Sequence, residues 1–333
     1  MINSHEFSSP HIRSGNSELL VSIDFLIAAL PAIIWSVIAY GVRPLAVIIV
    51  TMLFAALFEY LFCLVFRKEV HFPIAVLIGM ITALFMPAGI DYWILPLAAL
   101  IGVIARRLTS GIIHPIASSL LPLFLFGSQM TAHTKIFESL SLGVFSYADK
   151  MDELAVKLPY SVLLPENSPN ITVFDVFLGN SPESIGGMSA ILLIIGGVYL
   201  LCRRAITWHI PVGYIAGASL VWFLLLFDGA HYDYLIYHLC SGSIFLAAFF
   251  GATEYSSSPT VPIGRFIHGA GCSALTMLFR KLGMNAAMSV LLAMAAVSIF
   301  SRVIDMITAE RYFGYHSQKL HERFAALIPD FKK

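Results

Sequence analysis

Residues 43–66 read RPLAVIIVTMLFAALFEYLFCLVF, and after Arg43 the only charged side chain in the run is Glu59. A helix needs roughly 20 mostly apolar residues to cross the hydrocarbon of a bilayer, and this stretch supplies them. It is one of a series. Apolar runs of spanning or near-spanning length occur at 19–40, 43–66, 72–88, 92–106, 112–128, 189–203, 210–228, 237–253, 264–281 and 284–304. The pattern predicts an all-α integral membrane protein of about ten transmembrane helices. Several runs are short or broken by Gly and Pro, as in MPAG at 86–89 and HPIASSLLP at 114–122. Broken spans survive only where neighbouring protein or a cavity satisfies the freed backbone groups.

Composition agrees. Of 333 residues, 58% are hydrophobic and 12% charged, whereas soluble domains carry about 25% charged residues. The formal net charge of zero argues against nucleic acid as a partner. The opening MINSHEFSSPHIRSGNS is polar. No small-residue cleavage site follows the first apolar run, so that run is expected to stay as an anchor. Cys63, Cys202, Cys240 and Cys272 lie in apolar runs without a C-x-x-C pair, which reads as four buried small hydrophobes rather than metal or cluster ligands.

The sizeable polar stretch, 129–188, divides the chain. The expected organisation is an N-terminal helical repeat (1–128), an extracytoplasmic segment (129–188), a C-terminal helical repeat (189–310) and a cytoplasmic tail (311–333). Arg67, Lys68, Arg106, Arg107, Arg203, Arg204 and Arg265 fall on the side of the N-terminus, with Arg43, Arg280 and Lys281 on the other. This bias places both termini in the cytoplasm. RKEVHFPIAVLIG (67–79) echoes RRAITWHIPVGYIAG (203–217): a basic pair, His-x-Pro, and a Gly six residues after the Pro. Proline in the first turn of a helix forfeits no hydrogen bond.

Charges within spans default to a functional hypothesis. Glu59 is the candidate for an ion path or a cofactor cavity, with a helix–helix hydrogen bond as the alternative. Asp24 is expected at the interface, and Arg302 and Asp305, three apart, as a pair. His71 and His209 are expected to cap helices, and His268 to pack. Two glycine-bearing turns remain: FLGNSPESIGGMSA (177–190) and FFGATEYSSSPTVPIGR (249–265). Their N–H and hydroxyl donors suit a phosphate or a polar ring edge.

SSPHIRSGNS (8–17), FLGNSPESIGGMSAILLIIGGVYLLCRRAITWHIPV (177–212) and HLCSGSIFLAAFFGATEYSSSPTVPIGRFIHGAGCSALTMLFRKLG (238–283) resemble the RnfD/NqrB family. These are membrane flavoprotein subunits of the Rnf complex and of the sodium-pumping NADH:quinone oxidoreductase. The resemblance implies two similar five-helix repeats, like those of urea transporters. It also implies flavin-borne electron transfer coupled to Na+ or H+ movement, within a multi-subunit complex of the bacterial cytoplasmic membrane. Ser184, Gly186, Gly187 and Ser189 then become candidates for close approach to FMN or riboflavin. Thr253, Ser256 and Ser257 are a second set. The family attaches FMN to a threonine in an S-G-A-T-like motif before the FLGN segment, and residues 143–176 contain no such motif. Noncovalent flavin is therefore the expectation. A flavin-free scaffold or small-solute channel is the alternative.

Overall fold

The computed structural model describes residues 18–109, 111–126, 173–179, 183–226, 233–240, 243–284 and 286–308. Most of the expected extracytoplasmic segment and the tail lie outside these. Among the described residues the chain is helical, with no strand. The helices α1 (Glu18–Tyr40) and α2 (Arg43–Phe66) are each long and apolar enough to cross a membrane. Ala287–Ile299 and Ser301–Thr308, bent by 51°, make a third candidate if taken as one span.

The other helices are shorter or less apolar. In the first half they are α3 (Phe72–Phe85), α4 (Ile94–Thr109), α5 (Pro115–Ser119) and α6 (Leu121–Leu125). Then come α7 (Val173–Leu178), α8 (Ala190–Cys202) and α9 (His209–Val221), which continues as a π turn to Leu226. The rest are α10 (Asp233–Cys240), α11 (Ile244–Leu246, with a π turn to Gly251), α12 (Pro262–Lys281), α13 (Ala286–Ile299) and α14 (Ser301–Thr308).

Two expected spans are short, about two-thirds of spanning length. α3 has 14 residues and α8 has 13. At about 1.5 Å per residue, neither reaches across a core roughly 30 Å thick. Pro87 stops α3, because proline drives the residue before it out of the helical region. Met86 is accordingly extended, with φ −79° and ψ 149°.

Polarity is inverted relative to a soluble protein. α2 buries Thr51 and Glu59 and exposes Leu53, Leu57 and Leu64. Such a face is stable against lipid and not against water. Helices then associate by close packing rather than by the hydrophobic effect. Gly213 and Gly217 of α9 and Gly269 of α12 supply that packing. A Cβ at any of them would overlap the carbonyl of Phe266, Ala270 or Ile210 on the facing helix.

The internal echo has a structural counterpart. Arg67 and Arg204 both take the left-handed conformation, with φ 51° and 57°. Each closes the preceding helix by the same six-residue bond: Lys68 N to Cys63 O at 3.2 Å, and Ala205 N to Leu200 O at 3.0 Å. Such a C-cap satisfies orphan carbonyls and is usually built on glycine. Pro73 and Pro211 then sit in the first turns of α3 and α9. The two glycines pack on different neighbours, Gly79 against Ala55 of α2 and Gly217 against Ala270 of α12.

Candidate functional site

Two broken helices meet inside the molecule, and each half of the chain closes a helix of the other. The C-terminus of α3 presents unpaired carbonyls within the protein. Ile185 N donates to Met86 O at 2.9 Å and Gly186 N to Leu84 O at 2.7 Å. In return, α11 and its π turn end at Gly251, whose carbonyl accepts from His114 Nε2 at 3.1 Å. His114 Nδ1 accepts from Ala117 N at 3.3 Å and so caps α5. These two bonds fix His114 as the neutral Nε2–H tautomer. The junctions are neighbours: a Cβ on Gly251 would lie 3.2 Å from the ring of Phe85.

The Ser184–Ser189 turn is buried. Ser184 Oγ pairs with Ser243 Oγ at 2.6 Å and accepts from Gly187 N at 3.1 Å. A Cβ on Gly186 would lie 2.7 Å from Leu84 Cβ, and one on Gly187 would overlap both serine hydroxyls. The glycines are thus required by approach to α3 and α11. Ser189, also buried, precedes α8.

The second turn is organised by Glu254. Its Oε2 accepts from Ser256 N (3.1 Å), Ser256 Oγ (2.6 Å), Ser257 N (3.1 Å) and Ser257 Oγ (3.1 Å). The donors that suit an external anion therefore converge on the chain's own carboxylate. Thr253 Oγ1 donates back to Phe249 O at 2.7 Å. Tyr255 donates to the carbonyl of Ala205, and burial raises its phenol above the ordinary range.

Glu254, Tyr255 and Ser256 form one wall of a cavity of 390 Å³. α1 contributes Glu18, Ser22 and Phe25, α3 a ridge of Leu77, Ile78 and Ile81, and α4 contributes Arg106. Phe25 meets Phe250 edge to face, with centroids 5.9 Å apart. Such a chamber, mostly apolar with a few convergent polar groups, is the usual form of a small-molecule site. Arg106 Nη1 is buried, 3.6 Å from Glu59 Oε1, and has no hydrogen-bond partner among the described residues. Glu254 Oε1 likewise makes no hydrogen bond among them. These polar atoms and the aromatic pair suit a planar heteroaromatic ring with polar edges, so the residues fit a flavin.

Glu59 sits beside this cavity, wholly buried. Arg107 Nε donates to its Oε2 at 3.2 Å, and Arg107 Nη2 to Oε1. His71 N donates to Oε1 at 3.2 Å. Its carboxylate is thus already held by Arg107 and His71 N, which leaves it poorly placed to take up a cation.

Several expectations need correction. Asp24 is buried in the protein, where it accepts from Arg203 Nε and Tyr199 OH, each at 3.1 Å. Asp305, expected to pair with Arg302, is occupied at the start of α12. It takes Thr260 N at 3.0 Å and Val261 N at 3.2 Å, capping α12. The side chains of His71 and His209 cap nothing: His71 Nδ1 pairs with Glu18 at 2.9 Å, and His209 stacks on Trp208. Cys202 is exposed, while the other three cysteines are buried. Sequence reading did not find Ser243, whose partner lies 59 residues away. The N-cap role of His114 was open to it, from the following proline.

The sequence matches the NQR2, RnfD, RnfE family over residues 6–314. The chain belongs to that family. Among its relatives is the D-type subunit of the Na+-translocating ferredoxin:NAD+ oxidoreductase complex of Acetobacterium woodii, 28% identical over 92% of this chain and 94% of that one. The D-type subunit of the proton-translocating ferredoxin:NAD+ oxidoreductase complex of Clostridium ljungdahlii is 29% identical over 83% of this chain and 86% of that one. The corresponding subunit of the ion-translocating oxidoreductase complex of Halorhodospira halophila is 27% identical, over 92% and 94%. Exposed apolar helices and family membership together make this a membrane protein. Among the described residues, no group of His, Cys, Asp and Glu is arranged to hold a metal ion.

Proposed function

We propose that this chain is the D-type subunit of an ion-translocating ferredoxin:NAD+ oxidoreductase complex in the bacterial cytoplasmic membrane. The carrying observation is correspondence along nearly the whole length of relatives bearing that name. About ten helices in two repeats similar to urea transporters would form the body, with both termini cytoplasmic. The reciprocal junctions at Gly186 and His114 support the two-repeat reading. The relatives differ in ion, Na+ in one name and protons in another, so both remain within the proposal.

The cavity bounded by Phe25, Ile78, Arg106 and Glu254 would hold FMN or riboflavin noncovalently. When bound, the flavin supplies one- and two-electron redox chemistry. Phe25, Phe250 and the aliphatic ridge of α3 would exclude water from its faces. Arg106 would place positive charge beside it, and Ser256 and Tyr255 would shape its polar edge. We assign the flavin here rather than to the Ser184–Ser189 turn, whose donors and glycines are engaged with α3 and α11. The ion-path role of Glu59 is a separate proposal, which requires the carboxylate to part from Arg107 during transport.

The test is Leu77→Trp, which places bulk in the cavity, within the complex assembled in membrane vesicles. The expected result is loss of noncovalent flavin and of ferredoxin-dependent NAD+ reduction, with subunit assembly unchanged. Full activity with the cavity filled would refute the assignment. The missing attachment motif favours a second reading, a flavin-free scaffold or small-solute channel, in which solute flux into liposomes replaces flavin as the readout.

A further inference from the structure

A second cavity, of 350 Å³, adjoins the first and shares Val21 and Tyr255 with it. Its polar lining is Arg204, Arg265, Thr207, Thr253, Tyr255 and Ser258, with no carboxylate among the described residues that line it. The neighbouring acids are engaged elsewhere: Asp24 with Arg203, Asp305 with Thr260, and Glu254 with Ser256 and Ser257. The two guanidiniums that line the cavity have no ion-pair partner among the described residues.

Their placement is held by the fold. Arg265 is fixed by Nε to Pro259 O at 3.0 Å and Nη1 to Thr207 Oγ1 at 3.2 Å. Its Nη2 makes no hydrogen bond among the described residues. Arg204 is kept in the left-handed conformation, φ 57°, which a bulky side chain seldom adopts. Arg265 lies in the first turn of α12, where the helix dipole disfavours a cation. The first turn of α9, through Ile210, forms a further wall, and its N-terminal partial charge favours an anion. Beside it, Trp208, the N-cap residue of α9, and Val212 lie exposed one turn apart. An aromatic belt residue next to a basic pocket marks the level of lipid headgroups.

We infer that this cavity binds a phosphate ester, the phosphate of an anionic phospholipid, with its acyl chains along the Trp208–Val212 face. Arg204 and Arg265 contact the phosphate oxygens, and the hydroxyls of Thr207 and Ser258 lie around them. The site is separate from the flavin reading and stands without it.

The complex, extracted in mild detergent and stripped of lipid, is titrated with phosphatidylglycerol, phosphatidylcholine, inorganic phosphate or FMN and read by native mass spectrometry. Wild-type protein is expected to retain phosphatidylglycerol in preference to phosphatidylcholine. Arg204→Gln/Arg265→Gln should bind it roughly tenfold or more weakly, since each arginine near a lipid surface adds to attraction. Arg204→Lys/Arg265→Lys should recover part of that loss. Thr207→Val, which frees Arg265 without altering charge, should weaken retention to a smaller degree and covers the case in which the double variant fails to assemble. Equal retention of phosphatidylglycerol by wild type and the glutamine variant would overturn the inference, as would equal retention of the two lipids. Binding of inorganic phosphate or FMN at these arginines with no lipid bound would overturn the lipid assignment.

Discussion

Glu59 of α2 and Arg107 of α4 form a two-pronged ion pair, and the same guanidinium donates to Glu69 O at 3.0 Å. It ties the end of α2, the turn after it and the end of α4 into one unit. Removing one partner of a buried pair costs about 3–5 kcal/mol, because the other charge is left uncompensated. Arg107 keeps a little contact with solvent, so the lower end applies. Glu59→Gln should lower the melting temperature of the purified protein, and Glu59→Gln/Arg107→Gln should restore part of it. If Glu59→Gln melts like wild type yet abolishes ion transport, the ion-path proposal gains the support that geometry withholds.

Gly187→Ala probes the Ser184–Ser243 junction. The added methyl would overlap both hydroxyls, so one must move and their hydrogen bond must break. Overpacking of this kind costs about 1–3 kcal/mol. Thermal unfolding should show it, and Ser243→Ala combined with Gly187→Ala should cost less than the two changes added separately.

His114→Ala removes the hydrogen bond to Gly251 O and the cap of α5 together. Gly251 O keeps its bond from Glu254 N at 3.1 Å, so the cost is one lost hydrogen bond there plus an uncapped Ala117 N, whose lost partner costs about 1–3 kcal/mol. His114→Asn can cap α5 but not reach Gly251, so its loss should be smaller. Equal stability of all three proteins would show that the junction is not held by this side chain.

Arg106→Gln removes the positive charge lining the flavin cavity. A reduced flavin is stabilised by a nearby cation, so its midpoint potential should fall in this variant. Redox titration of the bound flavin measures the change, and an unchanged potential would place the flavin away from Arg106.

The long apolar helices were legible because length and composition alone specify them: α1 and α2 match their expected runs within one residue. The short helices were legible only as interruptions, since Pro87 says where α3 stops but not what covers its carbonyls. That partner, the Ile185–Gly187 turn, lies about a hundred residues on, and no local pattern links the two. The serines around Glu254 read in the sequence as donors for an external phosphate or ring edge. A carboxylate two or three residues away was the anion. The burial of Asp24 was not legible either: Arg203 and Tyr199, 179 and 175 residues distant, allow it. Glycine spacing in α9 carried a packing signal, because Gly213 and Gly217 stand one turn apart.

The most direct test of the central claim is the flavin content of the purified protein with its partner subunits intact, measured before and after denaturation. Flavin released on denaturation, with no fluorescent band on a denaturing gel and an intact mass equal to the bare chain, is the predicted result. A covalent adduct with no releasable flavin, or no flavin at all, would contradict a noncovalent cofactor in the cavity beside Arg106.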